Sequence, residues 1–241
     1  MTLPPFHWWR TVFYLIPAVT VYTITCGVVS LVSTLMDRRG HFAHQCARLW
    51  ARLILRTTGV EVERRGAPPA RPTTSCVFVA NHASIYDIPI LFAALPHQLR
   101  IIAKAALGYV PFIGWHLRLA GHVLVDRDNP GASIFKRMQR MTRHGAALIV
   151  FPEGSRSPDG RVGRFKGGIF LLAIESGLPI VPVSVLNSRA VMPKGRLMVC
   201  PARTQVIVHA PLPTSGLTRE DARRLAEQAR DIVVSGLDSR A

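Results

Sequence analysis

The chain has 241 residues, with 30 Lys and Arg against 14 Asp and Glu and a formal net charge of +16. At 49% hydrophobic residues and a mean hydropathy of +0.23 it can bury one sizeable core, and so large a positive excess predicts a polyanionic partner, either nucleic acid or the phosphate face of a membrane. The four cysteines (Cys26, Cys46, Cys76, Cys200) are scattered with no C-x-x-C pair, which argues against a zinc site or a disulfide framework and predicts reduced thiols.

In chain order, residues 11–36 carry no charged side chain. A helix of that length can cross the roughly 30 Å hydrocarbon layer of a bilayer. Trp8 and Trp9 mark its start as interfacial aromatics do, and Pro17 predicts a kink, so that a broken, half-inserted hairpin competes with a full span. Arg38, Arg39, Arg48, Arg52 and Arg56 follow the run, against Arg10 alone before it. By the positive-inside tendency the remainder is expected at the cytoplasmic face of the inner (plasma) membrane. Residues 41–56 predict an amphipathic helix with His44, Arg48, Arg52 and Arg56 as a cationic stripe beside Leu49, Trp50, Leu53 and Ile54, suited to anionic lipid. No nucleic-acid motif is present, so lipid is the favoured polyanion and nucleic acid is not expected as a partner. Residues 1–58 are thus read as membrane-associated helices and 59–241 as a second, folded domain.

Beyond residue 59, short runs rich in Val and Ile recur at 76–81, 100–104, 122–127, 147–153, 180–186 and 204–210. Segments of helical spacing lie between or after them, notably 131–144, 165–176 and 218–236, the last turning Leu225, Ile232 and Val233 inward. This alternation predicts an α/β fold, a mostly parallel central sheet flanked by helices, with the N-terminal helical anchor attached. Ligand sites in such sheets collect at the carboxyl ends of the strands. Asn81, His82, Lys104, Arg127 and Glu153 all fall there.

His82 and Asp87 are five positions apart, which on a continuous helix leaves them roughly 140° apart and unable to meet. They can meet at a strand–turn–helix junction, where a carboxylate on one imidazole nitrogen readies the other to take a proton from a hydroxyl. A capping histidine with a solvated acid is the simpler alternative. In "FPEGSRSPDG" (151–160), Gly154 permits a tight turn, Arg156 offers a fork suited to phosphate, and Glu153 either holds the loop or receives a substrate hydroxyl. Lys166 opens the next helix as a further anion contact. Lys104, Arg127 and Arg156, if they converge, suit a phosphomonoester.

"NHASIYD" (81–87) and "FPEGSRS" (151–157) match the N-H-x-S-x-x-D and F-P-E-G-T-R-S elements of the glycerolipid acyltransferases, with Ser155 in place of Thr. "KAALGYVPFIGW", "GHVLVDR" and "IVPVSV" follow in the family's order, so the resemblance spans about residues 47–212. It is strongest to the bacterial 1-acyl-glycerol-3-phosphate acyltransferases, and it implies a glycerol-3-phosphate acyltransferase-like fold. The reaction it implies is transfer of an acyl group from acyl-CoA or acyl carrier protein to the free sn-2 hydroxyl of the lysophospholipid, yielding phosphatidic acid without a covalent enzyme intermediate. It implies His82 as base and Asp87 as its orienting partner, with the phosphate on Lys104, Arg127 and Arg156. Glu153 and Gly154 would shape the acceptor site, joined there by Asn81, Ser84, Ser155 and Lys166. Implied partners are a lysophospholipid, an acyl thioester and anionic membrane lipid; no cofactor or metal is expected, and oligomeric state is open. A same-fold enzyme acting on another lysolipid, such as a lyso-ornithine lipid, and a non-catalytic lipid-binding protein are the alternatives. A hydrolase would need a G-x-S-x-G elbow or a metal-ligand cluster, and the sequence contains neither.

Overall fold

The computed structural model describes residues 5–33, 37, 40–66, 75–125 and 145–238, with the backbone alone for Lys104 and Val125. Residues 34–36, Arg38, Arg39, Arg127 and the helix expected over 131–144 lie outside the described residues. The apolar run is helical from Phe6 to Ser33 (α1). Pro17 has no N–H to give the carbonyl one turn back, and a π-helical turn over Thr11–Leu15 lies just ahead of it. The helix continues through that turn to Ser33, so the broken hairpin anticipated from Pro17 is not formed. Such a turn absorbs a proline without ending a helix.

Helix α2 (His41–Thr58) runs back along α1 and stops at Gly59, whose φ of +75° allows the left-handed closing turn. Its last carbonyls, on Thr57 and Thr58, each accept a hydrogen bond from the Arg10 guanidinium at 3.1 Å, a cation where the helix dipole is negative. Trp50 Nε1 donates to Thr23 Oγ1, also at 3.1 Å. The expected cationic stripe needs correcting. His44 is buried, whereas Leu49 is exposed on the same side as Arg52 and Arg56, because Ala43, Cys46, Ala51, Ile54 and Leu55 take the inward positions.

The remaining elements are β1 (Val60–Arg65), β2 (Val77–Ala80), α3 (Asp87–Ala94), β3 (Leu99–Lys104), α4 (Ile113–Leu119), β4 (Val123–Val125), β5 (Ala147–Val150), α5 (Gly168–Glu175), β6 (Ile180–Leu186), α6 (Ser188–Val191), β7 (Ala202–Val208) and α7 (Ala222–Asp238). The seven strands lie in the order β1-β7-β6-β2-β5-β3-β4, parallel throughout except where β6 meets β7. The fold is therefore α/β with a mostly parallel sheet, as expected. β1 and the helices α4 and α6 are additions to the predicted elements.

Central strand β2 is buried along its whole length. Phe78 and Ala80 face one layer with Ile90, Leu91, Ala51 and Ile54, while Val77 and Val79 face the other with Phe170, Leu225 and Val233. A strand covered on both faces needs a continuous apolar run rather than an alternating one. Leu15 of α1 and Leu55 of α2 belong to the first cluster, so the division drawn at residue 58 separates segments that share a core. The inward face of α7 holds as expected for Leu225 and Val233, with Ile232 half-buried.

Where α2 and α4 meet β3, two buried histidines satisfy the sheet. His44 Nδ1 accepts the Leu99 N–H at 3.3 Å and His122 Nδ1 accepts the Ile101 N–H at 3.0 Å. Accepting at Nδ1 makes each ring neutral with its proton on Nε2. Burial, reinforced by the Arg100 guanidinium, lowers the His44 pKa to about 3 and that of His122 well below its ordinary value.

Both groups bind a proton in the unfolded chain at a pH where the folded chain refuses it, so their contribution to stability is complete above about pH 6.5 and is lost as pH falls toward their folded values. Denaturant midpoints of the detergent-solubilised protein are expected to fall between pH 7 and pH 5, and a His44→Gln variant to show a shallower fall. On the opposite face, Phe170 is fully buried; Phe170→Ala should cost about 3–5 kcal/mol in the same unfolding measurement.

Candidate active site

The junction between β2 and α3 holds the pair that the spacing singled out. His82 Nδ1 and Asp87 Oδ2 are 2.7 Å apart, and the same oxygen accepts the backbone N–H of Ala83 at 2.8 Å and of Ser84 at 2.9 Å. Asp87 is fully buried and begins α3. An oxygen that already accepts two N–H groups is a carboxylate oxygen, so the imidazole donates from Nδ1 and its lone pair resides on Nε2. Nε2 has no hydrogen-bond partner among the described residues, and the His82 side chain retains 14% of its exposure. This is the arrangement of a base whose reactive nitrogen looks outward. The Phe151 ring stacks on the imidazole with centroids 4.0 Å apart and planes 17° from parallel, limiting its rotation.

The second motif is clasped to the first. β2 and β5 are neighbouring parallel strands, and beyond their ends the His82 N–H donates to Glu153 Oε1 while the Ser157 N–H donates to the His82 carbonyl, both at 2.7 Å. Glu153 Oε2 accepts the Gly163 N–H at 2.9 Å. Burial pushes the Glu153 carboxyl pKa up, with the bonds from Gly163 and His82 opposing it. Of the two readings left open for Glu153, the structure has it holding the loop, with both oxygens on backbone N–H groups. Gly154 turns at φ +80°, and a Cβ there would stand 3.1 Å from Lys166 Nζ. The conformation and the nearby lysine both favour glycine.

Two more of the expected substrate contacts, Asn81 and Ser84, bond to the protein itself. Asn81 is bonded through both amide atoms to the Val185 backbone, at 2.8 and 3.0 Å, tying β2 to β6. Ser84 Oγ donates to the Met192 carbonyl at 2.8 Å and is fully buried. Arg156 is half-buried in the loop beside Ser157, Ser155 and Lys166 are exposed, and the Lys104 backbone ends β3 at the same sheet edge. Arg127 lies outside the described residues.

Two cations went unnoticed in the sequence. Lys194 Nζ donates to the Arg156 carbonyl at 2.9 Å and Arg189 NH2 to the Pro158 carbonyl at 3.2 Å. Both follow the carboxyl end of β6, and the strand-end rule applied to the other strands would have found them. Among the described residues Arg156, Lys166, Arg189 and Lys194 form no ion pair, leaving positive charge around the loop available to an anion.

Comparison with known proteins follows the same residues. A family model described as Acyltransferase matches residues 60–186, more than half of the chain. A chloroplastic 1-acyl-sn-glycerol-3-phosphate acyltransferase of Brassica napus is 32% identical over 209 residues, which cover 85% of this chain and 59% of the relative; the chain thus spans less than two thirds of that protein's length. A 1-acyl-sn-glycerol-3-phosphate acyltransferase of Saccharomyces cerevisiae is 32% identical over 241 residues, 95% of this chain and 78% of the relative. The crystal structure of the 1-acyl-sn-glycerophosphate acyltransferase PlsC from Thermotoga maritima superposes with a TM-score of 0.80 at 26% identity, covering 96% of both chains. With both quoted motifs inside the matched region and the fold shared from end to end, the chain belongs to the acyltransferase family.

Proposed function

We propose that the protein transfers a fatty acyl group from acyl-CoA or acyl carrier protein to the free sn-2 hydroxyl of 1-acyl-glycerol-3-phosphate, making phosphatidic acid. The observation that carries this reading is the His82–Asp87 pair, with Nδ1 on a buried carboxylate and Nε2 turned outward, in a chain whose relatives are named for that reaction.

His82 Nε2 takes the proton of the acceptor hydroxyl as its oxygen attacks the thioester carbonyl. The tetrahedral intermediate collapses, the C–S bond breaks, and the leaving sulfur takes the proton back from the imidazolium, which releases free thiol and restores neutral His82. Buried Asp87 stabilises that imidazolium and keeps the ring in its working tautomer. Glu153 and Phe151 set the position of the His82 backbone and ring. The acceptor phosphate binds on Arg156 and Lys166, with Lys194 beside them and Lys104 and Arg127 as further candidates. Apolar α1, with its outward aromatic and aliphatic side chains, supports a membrane location close to a substrate that itself resides in lipid. The arginines after it in the sequence support the cytoplasmic face.

Purified protein supplied with acyl-CoA and lysophosphatidic acid should release free thiol and form phosphatidic acid in equal amounts. His82→Ala and Asp87→Asn are each expected to lower kcat by about 10²–10⁴-fold, the usual worth of a positioned base; equal turnover in wild type and His82→Ala would sink the assignment. Glu153→Gln turns an N–H₂ toward a backbone donor. It should lower kcat and stability together, at a cost of about 1–3 kcal/mol for the orphaned group, with KM for the acceptor little changed. Arg156→Ala should instead raise KM for lysophosphatidic acid roughly 10- to 100-fold, the range of a charged hydrogen bond, and leave an acceptor without a phosphomonoester unaffected. An Arg156→Ala variant equally impaired on both acceptors would favour a different lysolipid as the natural substrate.

A further inference from the structure

The segment after β3 turns apolar side chains to the outside. A short 3₁₀ turn (Ala105–Tyr109) and α4 (Ile113–Leu119) expose Leu107, Tyr109, Val110, Ile113, Trp115 and Leu119, with Tyr109 at 82% of its free surface. Between residues 105 and 119 Arg118 is the single Lys, Arg, Asp or Glu, and its guanidinium lies over the Tyr109 ring, 5.6 Å from the centroid. Six large apolar side chains on fifteen residues form a patch of the kind that marks an interaction surface. The turn between the two pieces is held in one shape: Phe112 sits at φ +60°, which a non-glycine side chain adopts only under constraint.

The segment that carries this patch packs against α1. Ser30 Oγ and His116 Nδ1 are hydrogen-bonded at 2.8 Å, and a Cβ on Gly27 would stand 3.6 Å from the Phe112 Cβ. Elsewhere around α1, Ile24, Val28 and Val32 are exposed. Helix α2 extends the surface in a graded way. Its exposed stripe reads Phe42, Leu49, Arg52, Arg56, at spacings of seven, three and four. The Phe42 end lies beside the end of α4, since a Cβ on Gly40 would stand 3.7 Å from the Ala120 carbonyl oxygen. At the other end, Arg52, Arg56 and Arg64 border a cavity of about 530 Å³ floored by Leu55, Val60 and Val62. None of the three arginines forms an ion pair among the described residues.

We propose that residues 105–119 are a second membrane-inserting element, which enters the acyl-chain layer of the same leaflet beside α1, while the Arg52–Arg56–Arg64 cavity takes the phosphate of an anionic lipid headgroup. A surface that is apolar at one end and cationic at the other, over a single helix stripe, has the polarity gradient of one bilayer leaflet. The 105–119 segment begins where β3 ends at Lys104, so the element that inserts is joined directly to that sheet edge, and insertion fixes the edge relative to the lipid surface.

The proposal concerns lipid contact and is tested without measuring acyl transfer, so its failure is distinguishable from failure of the proposed reaction. The full chain carrying Trp8→Phe, Trp9→Phe and Trp50→Phe keeps Trp115 as its one tryptophan. In vesicles of phosphatidylcholine and phosphatidylglycerol with brominated acyl chains, Trp115 fluorescence should be strongly quenched relative to unbrominated vesicles; unquenched Trp115 in a vesicle-bound chain overturns the insertion. As a check independent of the triple substitution, Tyr109→Asp in the otherwise unaltered chain should lower the vesicle partition coefficient about tenfold, and an unchanged coefficient overturns the proposal. Should Tyr109→Asp instead convert a sedimenting dimer to a monomer without affecting vesicle binding, the face belongs to a second copy of the chain and the proposal fails.

Discussion

A single carboxylate oxygen organises the end of the central strand. Asp87 Oδ2 accepts from the imidazole of His82 and from the main-chain N–H of Ala83 and Ser84, so one atom sets the path of the loop and the tautomer of the ring together. Its neighbour Oδ1 is buried without a hydrogen-bond partner among the described residues. The three donors on Oδ2 therefore bear most of the cost of keeping this charge away from water. A carboxylate held so expensively is worth more where a positive charge forms beside it than in a resting protein. The strand-to-helix turn is tight because of this atom, and α3 starts where it does because Asp87 occupies the first turn.

The second layer of the site is main-chain carpentry. Asn81, Ser84 and Glu153 look in the sequence like groups waiting for a substrate, and all three are committed to backbone partners on other elements. Glu153 joins His82 to Gly163 and so spans two loops. Its raised carboxyl pKa follows from burial, and its two N–H partners are what keep it serviceable as an acceptor. The positive charge around the loop comes from arginine and lysine side chains at the ends of β5 and β6, which form no ion pair among the described residues.

The surface has a similar division of labour. Apolar side chains are exposed on α1, on the start of α2 and on the 105–119 segment, and those elements also make inward contacts: Leu15 joins the core, His44 bonds the β3 edge, and half-buried His116 ties the 105–119 segment to Ser30 of α1. The helices at the amino end are thus welded to the sheet rather than tethered to it. Contact with lipid would be transmitted to the strand ends through packed side chains and not through a linker.

Much of this molecule is legible in residue order. The apolar run, the Val- and Ile-rich strands with helical segments between them, and the His82–Asp87 spacing follow from periodicity and from local chemistry, because strand, turn and helix signals extend over a few neighbouring residues. The motifs 81–87 and 151–157 likewise carry the family resemblance in residue order alone. Other features depend on residues far apart in the chain. That His44 turns inward is decided by the Leu99 N–H, and that Asn81 serves β6 by Val185, 104 residues away. The antiparallel placement of β7 and the edge strand β1, four of whose six residues (VEVERR) are charged, depend on which strands were already neighbours. Local sequence determined which elements form and which residues could do chemistry; the tertiary structure alone decided which polar groups are consumed by the backbone and which remain open, because a hydrogen-bond partner is set by packing and not by proximity along the chain.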